Sequence, residues 1–336
     1  MTNFNFIKNI HMLYIEFAFS LLLLFIGSQL LVNASIIISN KLQVNRLIIG
    51  LTIVSLATSL PELFVTIQAT SQGYYGYALG NIIGSNISNI SLVLGVTALI
   101  SPVLISKKEI YLNYYPLIII SAVFTISILY LKTISITYGA IALISLISFN
   151  IFLFKKAKES SHNELIKSDD LFNFLGYKFS IQNTFFLFIV LFIGSLVLWL
   201  GSKLLIGSST EIARIIGVSD RVIAISLVAL GTSLPELFAS AYAAFKNETK
   251  LAIGNLLGSN IFNILAVVGT TSLLNSINIE SNLNSDTIIM FLMTLILFPL
   301  FYIRKTIVKN KNKLMIHKYE GIVLITIYII YIISIF

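Results

Sequence analysis

Two stretches of the sequence decide the fold because they are nearly the same: SLATSLPELFVTIQAT at residues 55–70 and ALGTSLPELFASAYAAF at residues 229–245. Each places a proline and a glutamate in an otherwise apolar run, and TSLPELF is identical in both. A carboxylate inside an apolar membrane segment costs about 2.5–3.5 kcal/mol on insertion scales. The repeated string therefore predicts a functional intramembrane site built from two copies of one motif.

The similarity extends beyond this string at a constant offset of 174 residues. GNIIGSNISNI at residues 80–90 corresponds to GNLLGSNIFNI at residues 254–264, with every glycine and most polar positions kept. The offset holds without a gap from about residue 27 to 97. The chain is therefore predicted to contain an internal duplication.

The composition places the chain among membrane proteins. Of its 336 residues, 57% are hydrophobic and only 11% are charged, against about 25% charged in soluble domains. Long apolar runs without alternation predict an all-α polytopic membrane protein and argue against a β-barrel. We predict ten transmembrane helices, at residues 13–38, 46–70, 77–100, 111–131, 134–154, 184–209, 219–245, 250–274, 286–303 and 318–336.

The ten spans divide into two groups of five. Residues 1–154 form the first five-helix repeat, with its core at about 46–100, and residues 184–336 form the second, with its core at about 219–274. Residues 155–183 form the linker between them. Because five is odd, the second copy crosses the membrane in the opposite sense, which predicts an inverted-topology repeat. Transporters of this architecture bind their substrates at the repeat interface, near the midplane.

The distribution of lysine and arginine predicts the orientation. Of the 22 such residues, 17 fall on the side of the central loop, 4 fall on the opposite side, and Lys203 lies within a span. The positive-inside rule then makes the linker cytoplasmic and both termini external, in the cell membrane. The net charge of +8 is explained by this topology, so no nucleic-acid partner is expected.

Several activities lack their sequence requirements. There is no cysteine, which excludes thiol chemistry and disulfides. There is no phosphate-binding G-x-x-x-x-G-K-[ST] loop, so ATP is not expected as a partner. No histidine lies near the repeats, and we expect neither an enzyme nor a bound cofactor.

The first motif predicts an oxygen-lined site. A proline in a helix removes a backbone donor and displaces the carbonyl four residues earlier. In a membrane, such carbonyls must be satisfied or must line a cavity. Carbonyls and hydroxyls beside a carboxylate form the ligand set that Ca²⁺ and Na⁺ prefer. The residues concerned are Ala57, Thr58, Ser59 and Glu62, and Gly231, Thr232, Ser233 and Glu236.

The second motif supplies further ligands. Ser85 and Asn89 are four residues apart, as are Ser259 and Asn263, so each pair projects from one helix face. Each pair follows a Gly-x-x-x-Gly sequence, which favours close helix packing. We interpret the glycines as packing residues and the serines and asparagines as ligands.

The paired TSLPE and GSNIxN strings resemble the α-repeats of the cation/Ca²⁺ exchanger superfamily, in particular its prokaryotic sodium/calcium exchangers. The resemblance implies an antiporter in which the first and sixth spans slide to alternate access, and we expect the monomer to function alone. It implies four central cation sites, one of which favours Ca²⁺ and the others Na⁺. Glu62 and Glu236 would ligate Ca²⁺. The family pattern assigns further ligands, largely for Na⁺, to Thr58, Ser59, Ser85, Thr232, Ser233 and Ser259, with Asn89 and Asn263 completing the centre.

The chain departs from the family pattern at one pair of positions and leaves the counter-ion open. Some exchangers carry aspartate at one of the positions that are here Asn89 and Asn263. With two carboxylates the site carries at most −2, which one Ca²⁺ neutralises and three Na⁺ exceed by one charge. Ca²⁺/H⁺ exchange, K⁺-dependent Ca²⁺/Na⁺ exchange and, in another class, a cation channel are the alternatives. The hydroxyl-rich motifs favour Na⁺ over H⁺, and the inverted repeat favours an antiporter over a channel.

Overall fold

The computed structural model describes residues 2–160, 171–181, 183–218, 231–280, 283–303 and 313–335. Helices occupy most of these ranges. In chain order they are α1 (Thr2–Leu42), α2 (Arg46–Thr58), α3 (Leu60–Ser71), α4 (Tyr75–Ile100), α5 (Lys107–Tyr130), α6 (Ile136–Ser160), α7 (Thr184–Ile215), α8 (Leu234–Phe245), α9 (Thr249–Leu274), α10 (Asn284–Ile303) and α11 (Lys318–Ile335).

The predicted all-α membrane fold is confirmed. Within the described ranges, eight helices are long and apolar enough to cross a membrane, and α2 with α3 forms a ninth span that bends by 43°. The remaining predicted span, at 219–245, lies partly outside the described residues, and α8 is its described part. The count of ten thus rests on the structure for nine spans and on the sequence for the tenth.

The breaks in the proline-containing spans occur at equivalent serines. Ser59 separates α2 from α3 with φ −89° and ψ 8°, and Ser233 precedes α8 with φ −83° and ψ 0°. The proline then lies in the first turn of the following helix, where its missing N–H removes no helical hydrogen bond. Each glutamate consequently lies in the first turn of a helix, close to the N-terminus.

The centre of the molecule is formed by α4 and α9, which are buried along most of their length, whereas α6 and α11 expose most of their surface. Gly254 and Gly258 lie so close to α2 that a Cβ on either would meet the carbonyl oxygen of Leu47 or Leu51. The Gly-x-x-x-Gly motif therefore acts in close packing in the second repeat. The corresponding glycines of the first repeat, Gly80 and Gly84, would pack against the segment of the second repeat that matches this part of α2, residues 221–229, which lies outside the described residues.

Two π-helical turns interrupt the central helices at equivalent positions. They span Asn89–Val93 in α4 and Asn263–Val267 in α9. Each begins at the asparagine that the sequence analysis predicts as a ligand. A π turn inserts one residue into the helical repeat and is frequent at functional sites.

Helices α1 and α7 pack along each other over much of their length. Their backbones approach closely at two glycines. A Cβ on Gly27 would lie 2.8 Å from the Leu198 nitrogen, and one on Gly194 would lie 2.8 Å from the Leu31 nitrogen. The first and sixth predicted spans thus form one closely packed pair.

Short strands connect the two halves. Strand β1 (Val103–Ser106) pairs with β6 (Lys313–Ile316), and β2 (Thr133–Ile134) pairs with β5 (Ile277–Asn278), both antiparallel. Each pair joins a loop of the first half to a loop of the second.

The linker contains structure that the sequence analysis did not predict. Helix α6 continues to Ser160, and β3 (Leu171–Phe174) and β4 (Tyr177–Ser180) form a hairpin. Its two turn residues, Leu175 and Gly176, both have positive φ, as a type I′ hairpin turn requires. The hairpin contacts α1, where Asn33 donates a hydrogen bond to the Asn173 carbonyl and Gln29 accepts one from the Leu175 N–H.

Candidate cation site

The two glutamates lie inside the protein. Glu62 and Glu236 each occupy the first turn of a helix, α3 and α8, and neither side chain has any solvent exposure. Ser59, which precedes the helix that carries Glu62, donates to Glu236, so the first turns of the two helices lie close together. The positive end of each helix dipole favours a negative charge there. Two buried carboxylates nevertheless repel each other and lack water, so this arrangement is suited to a cation.

Glu236 is held by hydroxyl groups from both repeats. Its Oε1 accepts a hydrogen bond of 3.1 Å from Ser59 and one of 3.4 Å from Ser259. The Thr58 hydroxyl lies 3.4 Å from that of Ser259. Side chains from α2, from the break after it, from α8 and from α9 therefore meet at one point.

The motif threonines are fixed across the repeat interface by two asparagines. Thr58 donates to Asn255 Oδ1 at 3.1 Å, and Thr232 donates to Asn81 Oδ1 at 3.2 Å. The Thr232 hydroxyl also lies 3.1 Å from that of Ser85. Asn81 and Asn255 were missed by the sequence analysis, although both follow the first glycine of the repeated GNxxGSN string.

The predicted asparagine ligands are paired across the interface with two other asparagines. Asn89 donates from Nδ2 to Asn260 Oδ1 at 3.2 Å, and Asn263 donates from Nδ2 to Asn86 Oδ1 at 3.1 Å. Sequence reasoning also missed Asn86 and Asn260. Their signal is the asparagine directly after the serine of GSN, which is kept in both copies.

A set of buried side-chain oxygens has no hydrogen-bond partner among the described residues. Unpaired buried carboxylate and amide oxygens are costly, and native proteins rarely leave them so. All are of the hard-oxygen type that Ca²⁺ and Na⁺ prefer. Those that belong to predicted site residues are both carboxylate oxygens of Glu62, Oε2 of Glu236, Oδ1 of Asn89, Oδ1 of Asn263 and Oγ of Ser233.

The carbonyls that the prolines release are already partly satisfied. Ser195 donates to the Ala57 carbonyl, and Ser202 donates to the Gly231 carbonyl. Both serines belong to α7, which therefore contacts the break of each repeat. A carbonyl oxygen has two lone pairs, so each retains one for a further contact.

The fold and the site together define a class: a helical membrane transporter whose polar site lies between two sequence repeats. The sequence pattern of the sodium/calcium exchanger protein family matches residues 12–155 and 186–336. The chain belongs to this family, whose members are transporters.

Known proteins resemble the chain over nearly its whole length. It is 29% identical over 341 residues to the sodium/calcium exchanger MaX1 of Methanosarcina acetivorans, covering 92% of this chain and 94% of that one. It is 32% identical to the membrane protein MJ0091 of Methanocaldococcus jannaschii, covering 95% and 96%. A solved structure of the sodium-calcium exchanger NCX_Mj matches 97% of this chain and 99% of its own, with 30% identity and a TM-score of 0.78.

Proposed function

We propose that the chain exchanges Ca²⁺ for Na⁺ across the cell membrane by alternating access at the site between its repeats. The observation that carries this proposal is a set of buried, unpartnered oxygens on residues of both repeats, which hydrogen bonds across the repeat interface tie together. Glu62 and Glu236 ligate Ca²⁺, and hydroxyl, amide and carbonyl oxygens complete the ion sites. These further ligands come from Ala57, Thr58, Ser59, Ser85, Asn89, Gly231, Thr232, Ser233, Ser259 and Asn263.

Charge balance couples the two ions. The site carries at most −2 from its two glutamates, because the asparagines add oxygen ligands without charge. Either Ca²⁺ or several Na⁺ satisfies these carboxylates, and the two occupancies exclude each other. An empty site with two unpaired buried carboxylates crosses the membrane poorly, which favours exchange over leak.

The α1–α7 pair is the moving part in this proposal. Two features support this role: the close glycine contacts that join α1 to α7, and the serines of α7 that reach the broken spans of both repeats. A displacement of α7 would change the hydrogen bonding of the carbonyls at Ala57 and Gly231 together. Movement of one helix would therefore alter the helix breaks of both repeats at the same time.

The orientation and unit of function follow from the sequence. Both termini lie outside, and the linker with its hairpin lies in the cytoplasm, as the distribution of lysine and arginine indicates. Residues 1–154 and 184–336 act as two inverted repeats that build a single site, so one chain is sufficient. Ca²⁺ and Na⁺ are substrates, and no bound cofactor takes part.

The test is ⁴⁵Ca²⁺ uptake into Na⁺-loaded proteoliposomes, with and without an outward Na⁺ gradient. We expect gradient-dependent uptake in the wild type and its loss in Glu62→Gln and in Glu236→Gln. Glu211→Gln is the matched control, because Glu211 is half exposed and pairs with Arg214 on α7. This variant is expected to transport like the wild type.

Other outcomes would change the proposal in defined ways. Uptake that ignores Na⁺ but follows a proton or K⁺ gradient would replace the coupling ion and keep the site. Flux that does not saturate and needs no counter-ion would indicate a channel. Absence of Ca²⁺ flux from folded protein under every gradient would contradict Ca²⁺ transport.

A further inference from the structure

The asparagines of the two GSN strings form two equivalent hydrogen bonds across the repeat interface. In each, the amide nitrogen of a predicted ligand donates to an amide oxygen of the other repeat. Asn263 donates to Asn86 Oδ1 at 3.1 Å, and Asn89 donates to Asn260 Oδ1 at 3.2 Å. All four side chains are almost completely buried.

These hydrogen bonds decide which face of each amide meets the ion. A primary amide has an acceptor oxygen on one side and a donor NH₂ group on the other. With the NH₂ groups of Asn89 and Asn263 engaged, the Oδ1 atom of each remains unpartnered. If either amide were rotated by 180°, its NH₂ group would face the cation and repel it.

We propose that Asn86 and Asn260 are positioning residues for cation binding, which hold Asn263 and Asn89 with their oxygens towards the ion. This inference rests on the proposed function, since it assigns a role at the same site. Neither positioning residue needs to contact the ion. Each acts through the ligand on the opposite repeat, so that binding in one half depends on a side chain from the other.

The two pairs differ in how firmly the positioning residue is itself held. Asn86 donates from Nδ2 to the Asn260 carbonyl at 3.5 Å and lies 3.6 Å from the Met290 sulfur. The corresponding Nδ2 of Asn260 has no partner among the described residues. Loss of Asn86 should therefore affect transport more than loss of Asn260.

The test is a double-mutant cycle in the proteoliposome assay, measuring the KM for Ca²⁺ and the maximal rate separately. Asn86→Leu is nearly isosteric and removes the acceptor, and we expect it to raise the KM for Ca²⁺ about tenfold, as the loss of one hydrogen bond would. The same substitution is then made in an Asn263→Asp background. A carboxylate presents oxygen on both sides, so its orientation no longer matters, and Asn86→Leu should change the KM there by less than about twofold.

A merely structural role for Asn86 gives a different result. Loss of helix packing would lower the maximal rate or the yield of folded protein by the same factor in both backgrounds. Equal effects of Asn86→Leu on the KM in the wild-type and Asn263→Asp backgrounds would overturn the proposal. If Asn86→Leu does not fold, the cycle is repeated with Asn86→Ala. Asn150→Leu is the matched control, because the amide of Asn150 donates to the Leu146 carbonyl of its own helix, and it should leave the KM unchanged.

The failure of this inference is distinguishable from that of the proposed function. Glu62→Gln is measured in the same preparation. If Glu62→Gln transports Ca²⁺ normally, the proposed site is wrong. If Glu62→Gln is inactive while Asn86→Leu keeps the wild-type KM, the site stands and the positioning role is wrong.

Discussion

Glu62 and Glu236 occupy equivalent positions in identical heptapeptides, yet their surroundings differ. Glu236 accepts hydrogen bonds from Ser59 and Ser259, whereas within the described residues neither oxygen of Glu62 has a partner at hydrogen-bond distance, although Ser85, the counterpart of Ser259, lies near it. Ser233, the counterpart of Ser59, is unpartnered as well within the described part of the chain.

The difference shows that an internal repeat in sequence does not impose equal environments. The two copies share local features, including the helix break, the first-turn glutamate and the π turn. Their contacts diverge where one repeat meets the other. A carboxylate already held by two hydroxyls is oriented before an ion arrives, and one without partners depends on the ion. The two glutamates are therefore expected to respond differently to the same substitution.

The largest expected effect is on transport, where substitution of either glutamate should have the same result. Glu62→Gln and Glu236→Gln should each reduce Na⁺-driven ⁴⁵Ca²⁺ uptake by more than about 100-fold, because each removes a buried charge that the ion neutralises. The difference between the two glutamates should instead be visible in the melting temperatures of the variants in ion-free buffer. Glu62→Gln should raise the melting temperature more than Glu236→Gln, since it removes the carboxylate that has no partner. Equal shifts would show that the two environments are equivalent.

Ligand addition and removal should give the next largest effect. Ca²⁺ at about 100 times its Kd should stabilise the folded protein by about 2.7 kcal/mol, and a chelator should reverse the shift in melting temperature. The shift should vanish in Glu62→Gln. Mg²⁺ at the same concentration should produce a smaller one, because it sheds its water reluctantly. Equal stabilisation by both ions would contradict a site selective for Ca²⁺.

The serines test the comparison directly. Ser59→Ala removes a hydrogen bond to a buried carboxylate and should lower the free energy of unfolding by about 1.5–3 kcal/mol in ion-free buffer. Ser233→Ala removes a hydroxyl without a partner and should change it by less than about 0.5 kcal/mol. Denaturant titration of both variants measures the difference. A cost for Ser233→Ala as large as that for Ser59→Ala would mean that Glu62 is also held by a serine.

The smallest expected effect is on stability, from the hydrogen bond between Asn33 on α1 and the linker hairpin. Asn33→Ala removes one hydrogen bond to the hairpin and should cost about 1 kcal/mol, with faster hydrogen exchange in residues 171–180. Asn173→Ala is the control, because the acceptor is its backbone carbonyl and persists. In α7 the equivalent of Asn33 is Gly207, which cannot form such a contact. Unchanged exchange in Asn33→Ala would show that the hairpin is held by its apolar side chains alone.

Much of the fold could be predicted from the sequence because its signals are local. Apolar runs located the described spans, although α1, α6 and α7 extend well beyond the predicted ends, and the prolines indicated the breaks. The hairpin was missed because the charged residues before it made the whole linker resemble a solvated loop. The buried side chain of Phe172 belongs to this hairpin, and its burial depends on the contact with α1, which the sequence does not indicate.

The site was predictable only in part. Carboxylates and hydroxyls in a repeated motif are recognisable from the sequence alone, and in the structure they lie close together. Asn86 and Asn260 form hydrogen bonds across the interface, and no spacing along one helix indicates a partner on another. Ser195 had no signal, because it precedes the residues over which the repeat offset holds.

The strand pairs β1–β6 and β2–β5 bear on how the protein can be made. Each of these strands pairs with a strand of the opposite half. Side-chain hydrogen bonds to the opposite half are also made by Thr58, Thr232, Asn89 and Asn263. Either half synthesised alone would therefore expose open strand edges and leave polar side chains without partners inside the lipid. The two halves resemble the subunits of an obligate dimer that have been joined into one polypeptide. Biogenesis must thus hold the first half incomplete in the bilayer until the second has been inserted.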